Sequence, residues 1–131
     1  ERLAPLTALW ELKLGINNLT TASMPDVLGP PLQYLYLNGN NLETPPIWNH
    51  LGTHLQRLDL QSNGMRSASL EPFCNMNKLT NLDLQFNLLT EFPNLCPLPL
   101  LKTLSLQDNQ ISYVDPDVLV TQFKWLNLIV C

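Results

Sequence analysis

An eleven-residue pattern, L-x-x-L-x-L-x-x-N-x-L, recurs five times along the chain: "LWELKLGINNL" (9–19), "LQYLYLNGNNL" (32–42), "LQRLDLQSNGM" (55–65), "LTNLDLQFNLL" (79–89) and "LKTLSLQDNQI" (101–111). The copies start 23, 23, 24 and 22 residues apart, and all twenty of their apolar positions are filled, eighteen by Leu and two by Met65 and Ile111. Self-similarity at such a period means that each copy is one structural unit, which cannot bury its apolar side alone and must stack on its neighbours. An incomplete sixth copy, "FKWLNLIVC" (123–131), keeps Phe123, Leu126 and Leu128 and places Cys131 where asparagine is expected. Residues 1–8, with Leu3, Ala4 and Leu6, read as the tail of a preceding repeat, so that 1–131 forms a single domain.

Each copy contains its own structural logic. Alternation in L-x-x-L-x-L sends Leu35 and Leu37 to one face of a short strand and Tyr34 and Tyr36 to the other. Just past the strand the backbone must turn, which leaves N–H and C=O groups inside the coil that no sheet reaches. Each would cost about 1–3 kcal/mol if left unpaired. An asparagine amide both donates and accepts, so Asn17, Asn40, Asn63, Asn87 and Asn109 are expected to form a buried ladder bridging successive turns. Asn38 and Asn41 lie outside that register and are expected to be solvated turn residues.

These motifs resemble the leucine-rich-repeat family over nearly the whole chain, from Leu9 to Cys131. The repeat lengths are similar to the family's 22-residue and "typical" 24-residue classes; they are shorter than the ribonuclease-inhibitor class and lack the plant-class signature. The resemblance implies an α/β solenoid, a horseshoe segment with a concave parallel sheet of about six short strands and convex returns. Cysteine at the ladder position, as at Cys131, is a substitution that the family also shows.

The returns differ in chemistry. In "SMPDVLGPP" (23–31), "TPPIWNHLG" (44–52) and "YVDPDVLVTQ" (113–122), proline follows a cap such as Thr44 or Asp115, and Gly29 or Gly52 can end the turn, so short helical or 3₁₀ turns are expected. "TEFPNLCPLPL" (90–100) has three prolines within seven residues and is expected to run extended, while "SLEPFCNMNK" (69–78) is intermediate. Val27, Leu28, Leu51, Phe73, Leu98 and Leu119 are expected to close the core from this side.

Register then sorts the concave face into columns. One holds Trp10, Gln33, Gln56, Thr80, Lys102 and Lys124; the next Glu11, Tyr34, Arg57, Asn81, Thr103 and Trp125; the third Lys13, Tyr36, Asp59, Asp83, Ser105 and Asn127. Ile16, Gly39, Ser62, Phe86 and Asp108 flank them at the strand ends. Aromatic and arginine side chains on a rigid surface are the types that dominate binding energy, so Tyr34, Tyr36, Arg57, Asp59, Asp83 and Phe86 are the expected ligand-binding patch, for a protein or peptide. The competing reading is that the tyrosines shield the sheet and pack on Arg57 and Glu11 across neighbouring strands.

Other function classes find little support. A net charge of −4 with seven Lys and Arg gives no basic footprint for nucleic acid, and no apolar run is long enough to span a bilayer. His50 and His54 lack a third ligand, Asp115 fits better as a helix cap, and no phosphate loop or hydrolase motif occurs. No catalytic residue, metal or cofactor is therefore expected. Cys74 and Cys96 each stand five residues before the next repeat, which stacks them on adjacent coils within disulfide range, as either a bond or two reduced thiols. "NNLT" makes Asn18 a glycosylation sequon that, with the low lysine content, leans to the cell surface; the absence of a cysteine-rich end cap leans the other way. Both ends look uncapped, so a segment of a longer solenoid is expected, with Phe123, Leu126 and Leu128 covered. The expected function is non-catalytic recognition on the concave face, the alternatives being a structural subunit of an assembly or the targeting segment of a larger enzyme.

Overall fold

The computed structural model describes residues 9–21, 32–45, 53–66, 73–93, 98–117, 120 and 127–129. Six three-residue strands form one parallel sheet in sequence order: β1 (Glu11–Lys13), β2 (Tyr34–Tyr36), β3 (Arg57–Asp59), β4 (Asn81–Asp83), β5 (Thr103–Ser105) and β6 (Asn127–Ile129). In the first five, each strand is the x-L-x centre of its repeat, and Leu12, Leu35, Leu58, Leu82 and Leu104 stand opposite one another from coil to coil. Coils 1 to 5 are the repeats that start at 9, 32, 55, 79 and 101. The solenoid expected from the repeats is the fold observed.

The sixth strand departs from the motif alignment. Leu104 pairs with Leu128 and Thr103 with Asn127, whereas the repeat pattern sets Leu104 beside Leu126. The register is displaced by two residues, and Asn127 moves into the column of Thr103. A two-residue shift leaves the inward and outward alternation intact, so periodicity alone could not expose it.

The core is a column of leucines. Leu32, Leu35, Leu37, Leu55, Leu58, Leu60, Leu79, Leu82, Leu84, Leu101, Leu104 and Leu106 are all buried, and so are Leu42, Met65 and Leu89 after the turn. Phe73 and Leu98 close the core from the return side as expected, with Met76 beside Phe73 in the same cluster. Val27, Leu28, Leu51, Leu119 and the returns at 23–31 and 46–52 lie outside the described residues, as do Phe123, Trp125, Leu126 and Cys131. In the fifth return residues 116 and 117 are helical, and the Asp117 N–H donates to Asp115 Oδ1 at 2.9 Å, which makes Asp115 the cap and Pro116 the first helical residue.

Candidate functional site: the concave face and its supports

The asparagines supply the scaffold on which the face is mounted. Asn87 Oδ1 accepts the N–H groups of Asn63 and Met65 in the coil before it, at 3.0 and 3.1 Å. Its Nδ2 donates back to Leu60 O (3.1 Å) and to Leu84 O in its own coil (3.0 Å). Asn40 repeats the arrangement on Asn17 N, Leu19 N, Leu14 O and Leu37 O, and Asn63 and Asn109 donate in the same way. Each of these four rungs therefore reaches backwards, tying one coil to its predecessor. Asn63 and Asn87 are 1% and 4% exposed, Asn40 and Asn109 half-buried. Asn17 corrects the expectation: it is exposed, and its Nδ2 donates to Gly15 O within the same coil. Asn41 is exposed as expected, but Asn38 is half-buried, its amide filling the space that a side chain on Gly15 would need.

One position before each rung the backbone is left-handed without exception: Ile16, Gly39, Ser62, Phe86 and Asp108 have φ between 54° and 68°. The reason lies in the main chain. The N–H groups of Ile16, Gly39, Ser62 and Phe86 donate to carbonyls of the following coil, at Asn38, Gln61, Gln85 and Gln107, at 2.9 to 3.1 Å. Keeping that bond while the chain bends inward toward the asparagine requires the left-handed conformation. Only Gly39 adopts it freely; a β-branched residue such as Ile16 does so at a cost of about 1–2 kcal/mol. Ile16 and Phe86 are nonetheless 82% and 53% exposed.

On the sheet face the outward side chains of β2 to β5 surround a recess of about 220 Å³, lined by Tyr36, Arg57, Asp59, Asn81, Asp83, Thr103 and Ser105 above the buried Leu58 and Leu82. Four of the six expected contact residues meet there. Tyr34 and Phe86 do not line it. Tyr34 packs edge-on against Trp10, with ring centroids 5.7 Å apart, and Lys13 Nζ sits 5.6 Å from the centre of the Tyr36 ring while pairing with Glu11 at 3.3 Å. The aromatic shielding thus runs toward coil 1, through Trp10 and Lys13.

Asp59 and Asp83 are neighbours in register, and each is clamped by the glutamine two positions on. Gln61 donates its backbone N–H and its Nε2 to the two oxygens of Asp59, both at 3.1 Å, and Gln85 does the same for Asp83 at 3.1 and 2.8 Å. This D-L-Q signature is visible twice in the sequence but acquires meaning only with the fold. Burial raises the Asp59 pKa above its ordinary value of 3.8, and the Asp83 charge adds to the rise; the Gln61 hydrogen bonds and Arg57 oppose it. The exposed Arg57 forms no salt bridge among the described residues.

Cys74 is disulfide-bonded, and its partner lies outside the described residues, as does Cys96. Asn18 is exposed at φ 55°. Among the described residues no group of three or more His, Cys, Asp or Glu is placed to hold a metal ion, and no helix is long and apolar enough to cross a membrane. His54 sits against the Thr53 hydroxyl, 3.0 Å away, and His50 is outside the described residues.

Comparison with known families agrees with the geometry. Two family models described as leucine rich repeat match residues 31–51 and 53–111. The chain belongs to the leucine-rich-repeat family. Domains of this family generally mediate protein–protein interaction and are typically non-enzymatic. No curated protein matches the chain in sequence.

Proposed function

We propose that this leucine-rich-repeat segment is a non-catalytic recognition module that binds a protein or peptide on its concave face, with Tyr36, Arg57, Asp59 and Asp83 at the centre of the contact and Tyr34 and Phe86 at its rim. The observation that carries the reading is the recess itself. It joins an exposed guanidinium, without a salt bridge among the described residues, to two fixed carboxylates and an aromatic ring, above strands that the ladder ties together. Side chains already held by Gln61 and Gln85 lose little freedom on binding, which favours affinity.

The test is to select peptide binders from a random library against the full chain and map them with Arg57→Glu and Asp83→Lys. Binders of the concave face are expected to weaken at least tenfold, about 1.4 kcal/mol, in both variants. Binders indifferent to both substitutions would favour a structural subunit instead.

The disulfide at Cys74 supports an oxidising compartment, and Cys96 on the adjacent coil is the register partner we assign to it. The exposed sequon at Asn18 agrees with a cell-surface or secreted protein. A non-reducing mass measurement of the protein from its native source is expected to show a Cys74–Cys96 cross-linked peptide and a glycan on Asn18; free thiols and bare Asn18 would place the chain inside the cell.

A further inference from the structure

The flank just beyond the ladder differs between the two ends of the solenoid. In coils 1 and 2 it is closed: Asn41 N–H donates to Leu19 O at 2.8 Å, Thr20 and Asn41 form a bridge, and the Thr21 hydroxyl reaches the carbonyls of Leu42 and of Thr44, the latter at 2.7 Å. The Thr21 and Thr44 hydroxyls themselves stand 3.3 Å apart. In coils 4 and 5 the last main-chain tie among the described residues is Gln110 N–H to Leu89 O. The register positions of Thr21 and Thr44 are there occupied by Glu91 and Tyr113, which cannot bridge in this way. The coils part into a cleft of about 340 Å³ lined by Thr90, Glu91, Phe92, Pro93, Ser112, Tyr113 and Asp115.

We infer that this cleft is a second binding site, separate from the sheet face, that takes an arginine side chain of a protein partner. Its size falls in the range of pockets that hold small groups. Phe92, Pro93 and Tyr113 offer apolar and aromatic surface for a side-chain stem and a flat cation, and Tyr113 remains 69% exposed, with its ring open to a partner. Glu91 supplies the charge: it is exposed and takes part in no ion pair among the described residues, whereas Asp115 already accepts the Asp117 N–H through one oxygen. Arginine satisfies both requirements at once, because its planar guanidinium stacks on a ring face while its forked N–H groups pair with a carboxylate. The net charge of −4 attracts such a partner at longer range. None of this depends on the concave face, so either site can fail alone.

The test titrates the full chain with N-acetyl-arginine N-methylamide and with its neutral isostere, the citrulline analogue, following backbone amide resonances. Saturable shifts at Thr90, Glu91, Ser112 and Tyr113 are expected for arginine, with a dissociation constant on the order of 1 mM. Glu91→Gln and Tyr113→Ala are each expected to weaken it at least tenfold, Tyr113→Phe to retain it, and Asp83→Asn to leave it unchanged. Equal binding of citrulline, or arginine shifts confined to the sheet face, would overturn the assignment. So would the absence of saturable shifts, or shifts at the same amides on raising the protein concentration without probe, which would give the cleft to a second copy.

Discussion

Two columns of residues run side by side along this solenoid, one position apart, and they obey opposite rules. The ladder column is chemically fixed: asparagine in five coils, and in the four from Asn40 to Asn109 its short side chain, with both donor and acceptor, meets the main-chain groups of two coils. Its neighbour is conformationally fixed but chemically free: isoleucine, glycine, serine, phenylalanine and aspartate all adopt the same left-handed backbone. The first constraint acts on a side chain, the second on φ alone. A fold can therefore leave as strong a mark on the backbone as on the sequence while only one of the two can be read from residue letters.

The largest separation of the two columns is expected from Asn87→Ala. The change removes the one oxygen that accepts the buried N–H groups of Asn63 and Met65, while Leu60 O and Leu84 O keep their bonds from Asn63 and Asn109, so the two stranded N–H groups and the emptied site are expected to cost about 3–5 kcal/mol in urea unfolding. A loss below about 1 kcal/mol would mean that water replaces the rung. In the neighbouring column Gly39→Ala is expected to cost about 1 kcal/mol, because alanine resists φ 68° and its Cβ would stand 3.1 Å from Ile16 Cγ1. Ile16→Gly works in the other direction. It releases a β-branched residue from the left-handed region and is expected to raise stability by about 0.5 kcal/mol, the gain being trimmed by the greater freedom of glycine in the unfolded chain. If Ile16→Gly instead destabilises, the exposed side chain makes a contact that outweighs the strain.

The smallest effect concerns the face. A carboxyl group whose folded pKa lies above the unfolded value binds its proton more tightly when folded, so its contribution to stability is greatest below the ordinary carboxylate range and declines as pH rises through the folded value. Asp59→Asn is expected to remove that decline, giving a flatter pH dependence above the ordinary carboxylate range, measured by thermal unfolding across pH. An unchanged slope would assign the pH response to other groups.

Much of the fold was legible in the sequence because burial demands apolar side chains at fixed places: Leu12, Leu35, Leu58, Leu82 and Leu104 announce five strands and their register. The ladder was legible for the same reason, since an amide that recurs at one fixed place among leucines must answer main-chain groups buried beside it. The displaced sixth strand was not, because a shift by two preserves alternation. Nor was the left-handed column, where Gly39 alone hints at φ and Ile16 argues against it. Of the candidate site, the columns could be written down, but which of their members meet depended on competition between neighbours: Tyr34 turns to Trp10, while Gln61 and Gln85 fix Asp59 and Asp83. The open flank between coils 4 and 5 became apparent only beside the closed flank of coils 1 and 2, where threonine occupies the same register.

Amide hydrogen exchange tests the central claim most directly, since it reports on the N–H groups that the asparagine side chains accept. In the native protein the amides of Asn63 and Met65 are expected to be strongly protected, and in Asn87→Ala both are expected to lose protection while Leu19, held by Asn40, keeps its own. Exchange of Asn63 and Met65 at unfolded-chain rates in the native protein, or protection that survives Asn87→Ala, would contradict the account.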